Sequence, residues 1–421
     1  MSIHVDKLLL ANKVLLLQGP MGDFFHRLAQ WLNSKNIECY KINFNGGDRF
    51  FYKSKENVFD YQGRLGDFLG WIEAFLIEHE IDAIVCFGDC RKYHKLAKVI
   101  AEKNNINFFA FEEGYIRPNY ITFEQNGVNF FSNFLNHLDN NKVQGVEYRN
   151  DLNSNITDVQ NSYSKMVMSV ITYYILWVLF SFKYPDYEHH RGIHPIKEVG
   201  FWTLSSIRSV KNKLFEQRKF NKFLEENSKK YFIFSLQVHN DSQIKIHSDL
   251  KNVEKYIELV LKDFGQHADQ SMHLVLKHHP MDRGYRNYKK LINRYAKQFH
   301  IQGRVHYFCD IHFPTLLKHG LGLVTVNSTT GIQALFHQIP VKVLGFALYN
   351  LPKLTNQYAL SKFWANPGKV DSHYFSYFRR ELILYSQLNG SFYGISPWKE
   401  VYSNQAVIAH QESSEPRTKV V

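Results

Sequence analysis

From residue 13 the chain alternates short apolar runs with longer stretches whose apolar residues recur every three or four positions. KVLLLQ (13–18) is such a run, GPMG interrupts it, and Phe25, Leu28, Ala29 and Leu32 then share one side of a helix. A strand, a loop and a helix are predicted. The unit recurs as IECYKINF with an amphipathic helix over 64–80, then as DAIVCFGD with KYHKLAKVIAEKNN, and closes on the strand INFFAFEEG. Helical segments of this length between strands fit parallel pairing, because parallel neighbours need a crossover of a dozen or more residues.

The alternation weakens between about 119 and 230 and then restarts. KYFIFSLQ, HLVLKHHP (273–280), GRVHYF, the run over 320–328 and IPVKVLG read as strands. The helical patterns 250–265, NYKKLINRYAKQF, FPTLLKHG and TTGIQALFHQ separate them. The expected fold class is α/β, with two Rossmann-like domains facing a cleft in a GT-B-like arrangement and a helical interdomain segment. The expected domains are 1–150 (Rossmann-like, acceptor and catalytic side), 151–230 (helical interdomain), 231–370 (Rossmann-like, nucleotide-binding) and 371–421 (C-terminal helix and tail). No fixed-period repeat is visible, which argues against a solenoid or propeller.

One stretch of the interdomain segment stands apart. From Met166 to Phe182 there is no charge, with Lys165 and Lys183 on either side. A membrane-crossing helix needs about 20 apolar residues, so the stretch is borderline. It reads as a buried helix between domains, as a helix lying on a membrane surface with its Trp and Tyr residues at the headgroups, or as a span.

Length and composition sharpen this picture. At 421 residues the chain exceeds what one core usually organises, and 44% hydrophobic and 15% aromatic residues exclude a disordered chain. Lysine and arginine outnumber aspartate and glutamate by 51 to 39, a formal charge of +12 that suits an anionic partner. The four cysteines, Cys39, Cys86, Cys90 and Cys309, have no disulfide-framework or zinc-ribbon spacing, so a reducing compartment is expected. The N-terminus lacks the pattern of a secretory signal, which points to the cytoplasm.

Ligands of open parallel sheets bind beyond the carboxyl ends of the strands. In the second half those positions hold Gln237, the run Lys277, His278, His279 and Pro280, and the turn Ser328, Thr329, Thr330 and Gly331. Hydroxyls and imidazoles there can donate to a phosphate; the plainer reading is an N-cap and satisfied core or surface histidines. In the first half they hold the loop glycines Gly19 and Gly22, then Asp89, Arg91 and His94, then Glu112, Glu113, Gly114 and Arg117. Three carboxylates on one edge can act as nucleophile or general base at a sugar carbon, or form an internal network with the two arginines. Successive strand residues point to opposite faces, so only one of Glu112 and Glu113 faces any given site. His239-Asp241 and Asp310-His312 have ligand-like spacing, but no HExxH and no suitable DxD is present, and no metal site is expected. The basic residues lie on helical patterns without a nucleic-acid motif, so no nucleic-acid partner is expected.

Taken in order, QGPMGDFF, FGDCRKYH, FEEGYIRP, the HP of KHHP and NSTTG resemble the capsule polysaccharide synthesis and export proteins of the KpsS/LipB type. The resemblance covers nearly the whole chain. It implies a retaining β-Kdo glycosyltransferase of Gram-negative capsule assembly. The donor would be CMP-β-Kdo and the acceptor a phosphatidylglycerol-type lipid receiving the first Kdo of the poly-Kdo linker. Residue by residue, it places His279, Pro280 and the Ser328–Thr330 turn on the CMP side and Glu112, Glu113 and Gly114 on the acceptor side. Related KpsC-type modules read Glu-Asp-Gly where this chain has Glu-Glu-Gly. Glu113 is then expected as nucleophile, Asp89 or Glu112 as acid/base or orienting group, and Lys277, Gln237, Arg117, Gly19 and Gly22 as substrate-binding residues. No cofactor is implied, and a single-phosphate donor suits the missing DxD. Location on the inner face of the inner membrane, beside other capsule synthesis and export proteins, is also implied. The alternatives are a transferase using another nucleotide sugar and a non-catalytic export component.

Overall fold

The computed structural model describes residues 2–138, 158–159, 163–190, 192, 195–240, 244 and 248–398. The described residues fall into two compact units, one within Met1–Val128, Asp151–His190 and Ile383–Val421, the other within Asn129–Asn150 and Arg191–Leu382. This differs from four consecutive segments. The apolar stretch belongs with the first unit, and residues 383–398 return to that unit.

In the first unit β1 (Lys13–Leu16), β2 (Glu38–Asn43), β3 (Val58–Asp60), β4 (Ala83–Phe87) and β5 (Asn107–Glu113) pair in parallel in the order β3-β2-β1-β4-β5. β6 (Tyr120–Gln125) adds antiparallel to β5. In the second unit β7 (Tyr231–Ser235), β8 (His273–Lys277), β9 (Val305–Phe308), β10 (Gly322–Thr325) and β11 (Val341–Val343) are all parallel, in the order β9-β8-β7-β10-β11. Both sheets therefore run third-second-first-fourth-fifth, the Rossmann order, and the expected pair of Rossmann-like α/β domains is what the chain forms. β12 (Gln387–Asn389) completes the first sheet, antiparallel to β6.

Burial on both faces explains why the strands read as continuous apolar runs. In the first sheet Leu15, Ile84 and Ala110 pack with Phe68, Ile72 and Ala97 on one side. Leu16, Val85, Phe109 and Phe111 pack with Phe24, Leu28 and Trp31 on the other. This alternation carries through to Glu112 and Glu113, which leave β5 toward opposite faces.

The apolar stretch forms a helix, Tyr163–Leu179, with Val170, Tyr173, Tyr174 and Trp177 buried at helical spacing. It lies against the short helix Gly46–Phe51, and two glycines permit the approach. A Cβ on Gly46 would sit 2.5 Å from the Leu176 carbonyl oxygen, and one on Gly47 2.6 Å from the Tyr173 ring. The opposite face stays exposed, with Met168 at 66%, Ile175 at 52% and Leu179 at 61% accessibility. No helix among the described residues is long and apolar enough to cross a membrane. In the second unit the helix Pro195–Asn227 likewise exposes Ile207, Val210 and Leu214, next to Lys211, Lys213, Arg218 and Lys222.

Candidate functional site

In each unit the strand order reverses beside the first strand, between β1 and β4 and between β7 and β10, where such sheets bind ligands. Just beyond β1 and β7 the chain reads Leu-Gln, and each glutamine organises its site. Gln237 donates from its amide to the Asn327 side-chain oxygen at 2.9 Å and accepts the Asn327 N–H at 3.2 Å, tying the ends of β7 and β10 together. Ser328 Oγ accepts the Thr330 N–H at 3.2 Å, while the Thr330 hydroxyl donates to Ser235 Oγ at 3.1 Å. Thr329 makes no side-chain cap bond. Gly331 is required by packing, since a Cβ there would lie 2.3 Å from the Tyr349 hydroxyl oxygen.

The loop after β8 separates its three candidates. His279 is half-buried, and its Nδ1 accepts the Met281 N–H at 3.1 Å, so the neutral ring carries its proton on Nε2 and is a donor there. Pro280 opens the following turn. Lys277 is buried, and its Nζ donates to the carbonyls of His278 and Cys309, a strut across the strand ends. His278 is buried against the Tyr288 and Tyr307 rings, and burial pushes its pKa down to about 4, so it stays neutral. A pair the sequence did not single out lies alongside: the fully buried Asp282 and the His239 ring, 2.5 Å apart. Asp241 lies outside the described residues.

In the first unit Gln18 plays the matching part. Its amide nitrogen lies 3.1 Å from Asp48 Oδ2, 2.8 Å from the Tyr173 hydroxyl and 3.0 Å from the Tyr187 hydroxyl, and its oxygen accepts from Arg91 at 2.9 Å. Arg91 also approaches the Gly19 carbonyl at 3.4 Å. His94 is a buried neutral ring, its pKa pushed down to about 3 by burial, 2.7 Å from the Gly88 carbonyl. Gly88 has φ +74° and leaves room for Arg91 and the Glu112 carboxylate above it.

The carboxylates divide sharply. Glu112 accepts the Glu113 N–H at 3.0 Å. Burial raises its pKa to about 7, with the charges of Glu113 and Asp89 adding to the rise and the Glu113 N–H and Arg91 opposing it. Glu113 is exposed, on the face toward Tyr393. Asp89 is buried and accepts the Val128 N–H at 3.0 Å, so it braces the chain where β6 ends. Arg117 is exposed and its Nε donates to the Gly114 carbonyl at 3.1 Å; the cation beside the carboxylate pair is Arg91. Gly22 lies 3.7 Å from Tyr393, counted from where a Cβ would stand, and with Gly19 lines a pocket shared with Asp48 and Tyr173. Among the described residues no three His, Cys, Asp or Glu side chains converge as a metal site. The sequence assigned no role to Gln18, although it opens QGPMGDFF and repeats the Leu-Gln found after β7, and it gave no sign of Asp48, Tyr173 or Tyr393.

The family model described as "Capsule polysaccharide biosynthesis protein" matches residues 82–393, from the start of β4 through Glu112, His279 and Ser328 to Tyr393. The chain belongs to this capsule polysaccharide family. It is 40% identical over 386 residues to the capsule polysaccharide modification protein LipB of Neisseria meningitidis serogroup B, covering 91% of this chain and 92% of LipB. To the capsule polysaccharide export protein KpsS of Escherichia coli it is 38% identical over 392 residues, covering 92% and 98%. Among solved structures, KpsC of Thermosulfurimonas dismutans, a beta Kdo 2,7 transferase, covers 93% of this chain at 13% identity and a TM-score of 0.41, and 99% of KpsC is matched. The KpsS/LipB resemblance of the ordered motifs thus holds, and the protein's role lies in capsule polysaccharide biosynthesis.

Proposed function

We propose that this chain is a retaining β-Kdo glycosyltransferase that moves Kdo from CMP-β-Kdo to a phosphatidylglycerol-type lipid, starting the poly-Kdo linker. The donor and acceptor come from the motif resemblance. The observation that carries the chemistry is the Glu112–Glu113 pair, adjacent carboxylates in opposite environments at a ligand-binding sheet edge. The Glu113 carboxylate attacks the anomeric carbon, and the bond to the CMP phosphate breaks with its electron pair leaving on CMP. The acceptor hydroxyl then attacks the same carbon and releases Glu113, its proton passing through water around the end of β5 to Glu112, which leaves the strand on the other face but within electrostatic reach of Glu113. Two inversions give retention. A pKa of about 7 lets Glu112 take that proton near neutrality. CMP is a phosphate leaving group that needs no proton; His279 Nε2–H and the Ser328 and Thr329 hydroxyls supply donors to it. Purified protein should turn over CMP-β-Kdo with phosphatidylglycerol vesicles and leave UDP- and GDP-sugars untouched. Turnover of a nucleotide diphosphate sugar instead, or an inverted product, overturns the reading.

His279→Ala and the double change Ser328→Ala/Thr329→Ala should each weaken CMP binding about ten- to over a hundred-fold by calorimetry, since a hydrogen bond to a charged group contributes about 1.5–3 kcal/mol. Unchanged affinity in both moves CMP elsewhere. A lipid acceptor also calls for attachment to the inner face of the inner membrane, through the exposed side of Tyr163–Leu179 and the basic Pro195–Asn227 helix. Each Lys or Arg at an anionic surface contributes about 1 kcal/mol. Sedimentation with phosphatidylglycerol vesicles should fall steeply as salt rises, and salt-insensitive binding contradicts this.

A further inference from the structure

The loop after β1, strand β2 and the helices Gly46–Phe51 and Tyr163–Leu179 enclose the pocket noted above, and no step yet uses its floor. Lys41 lies there, 2% exposed, and among the described residues its Nζ has a single hydrogen-bond acceptor, the Ile42 carbonyl at 2.5 Å. An ammonium carries three protons, so two remain without an acceptor among the described residues. Leaving a buried cation so poorly solvated is unfavourable, and burial pushes its pKa down to about 8. His26 lines the same pocket, its ring 5.7 Å from that of Tyr52, the ring over which Lys41 Nζ stands at 6.0 Å. His26 Nδ1 is buried with no hydrogen-bond partner, and burial and the charge of Lys53 both lower the ring's pKa, so it is neutral and can donate.

The nearby anion is already engaged. Asp48 accepts the Phe44 N–H at 3.1 Å, the Tyr173 hydroxyl at 2.9 Å and the Gln18 amide at 3.1 Å. Pro20, Phe25, Phe51 and Tyr52 make the remaining walls largely apolar. Incompletely satisfied donors at the base of an apolar-walled pocket fit an anionic oxygen that arrives with its own organic body. Tyr173 lies on the buried side of the helix whose other side is the exposed apolar stripe.

We propose that this pocket receives the phosphodiester headgroup of the lipid acceptor, with a phosphate oxygen held by Lys41 Nζ and His26 Nδ1. This rests on the lipid-acceptor reading above. With the helix Tyr163–Leu179 seated on a bilayer, the headgroup enters beside Tyr173 while the acyl chains stay in the membrane. The same donors would take a free phosphate or the carboxylate of free Kdo, so the probe must separate these sources.

The test is calorimetry on the full chain with glycerophosphoglycerol, the deacylated headgroup, against inorganic phosphate and free Kdo, for wild type, Lys41→Met and His26→Leu. CMP affinity and melting temperature are measured on the same samples. Wild type should bind glycerophosphoglycerol more tightly than phosphate or Kdo. Lys41→Met should weaken it about ten- to a hundred-fold with CMP affinity unchanged and no loss of melting temperature, and His26→Leu should weaken it to a lesser degree. A merely structural Lys41 would lower the melting temperature and leave headgroup affinity in the folded fraction intact, which overturns the proposal. Preferred binding of phosphate or Kdo overturns the headgroup assignment. Kdo transfer to phosphatidylglycerol without Lys41-dependent headgroup binding removes the pocket and spares the function. Lys41-dependent headgroup binding without any Kdo transfer supports the pocket and removes the transferase reading.

Discussion

Glu113→Gln is expected to abolish Kdo transfer, by about 10³-fold or more, while CMP affinity stays within a factor of two. The amide cannot form the glycosyl ester, and the substitution is nearly isosteric at an exposed position, so folding should be unaffected. Glu112→Gln should cost about 10²–10⁴-fold through loss of the base. The pH profile carries the sign of the assignment. A base must be ionised, so acceptor-dependent turnover should rise from pH 6 to 8 and level off above a midpoint near 7. Because the Glu113 charge helps raise that value, a Glu113→Asp enzyme should keep the midpoint, and neutral Gln should move any residual activity's midpoint to lower pH. The same shift makes stability depend on pH. Folding raises the Glu112 pKa, so the folded state binds the extra proton between about 4.5 and 7, and the associated stability is lost as pH rises through that window. At pH 8 Glu112→Gln should therefore be more stable than wild type, by at most about 3 kcal/mol and less given the side chain's partial exposure. A Glu113→Gln enzyme with normal turnover rules out the ester.

Gly114→Ala should be the most damaging single methyl in the first unit. A Cβ at Gly114 would stand 2.0 Å from the Tyr120 carbonyl oxygen and 2.7 Å from its carbon, backbone atoms at the start of β6 that cannot swing aside. Relief requires separating β5 from β6 where Glu113 pairs with Ile121, so a loss of about 3 kcal/mol or more is expected, with activity falling alongside. Gly70 is the internal comparison. It lies in the helix Phe68–Glu78 with nothing within 4 Å of its would-be Cβ, and Gly70→Ala should stabilise by about 0.5–1 kcal/mol. Urea midpoints of the two variants check both signs; equal midpoints contradict the packing described at Gly114.

Both Rossmann-like sheets were legible because buried parallel strands and amphipathic helices leave long, regular patterns, as in KVLLLQ and HLVLKHHP. β12 was not, since Gln387–Asn389 is short, polar and held by pairing with β6 rather than by its own composition. The partition of the chain was also hidden, because the return of residues 383–398 to the first unit is a long-range event. At the sites, the Glu112–Glu113 pair and the His279 and Ser328–Thr330 turns stood out as polar residues ending apolar strands. The Gln18 network did not, because Asp48, Arg91, Tyr173 and Tyr187 reach it from four distant segments. Sequence order also gave no reason to prefer Arg91 over Arg117 as the cation beside Glu112. The turn at Gly114 decides it by giving Arg117 a carbonyl of its own.

The glycosyl ester on Glu113 can be trapped. Wild-type protein incubated with CMP-β-Kdo and no acceptor, then digested and analysed by mass spectrometry, should yield a Kdo adduct on the peptide containing residues 112 and 113. The adduct should vanish in Glu113→Gln and persist in Glu112→Gln. An adduct on Asp89, or one that survives Glu113→Gln, would contradict the assignment of Glu113 as the nucleophile.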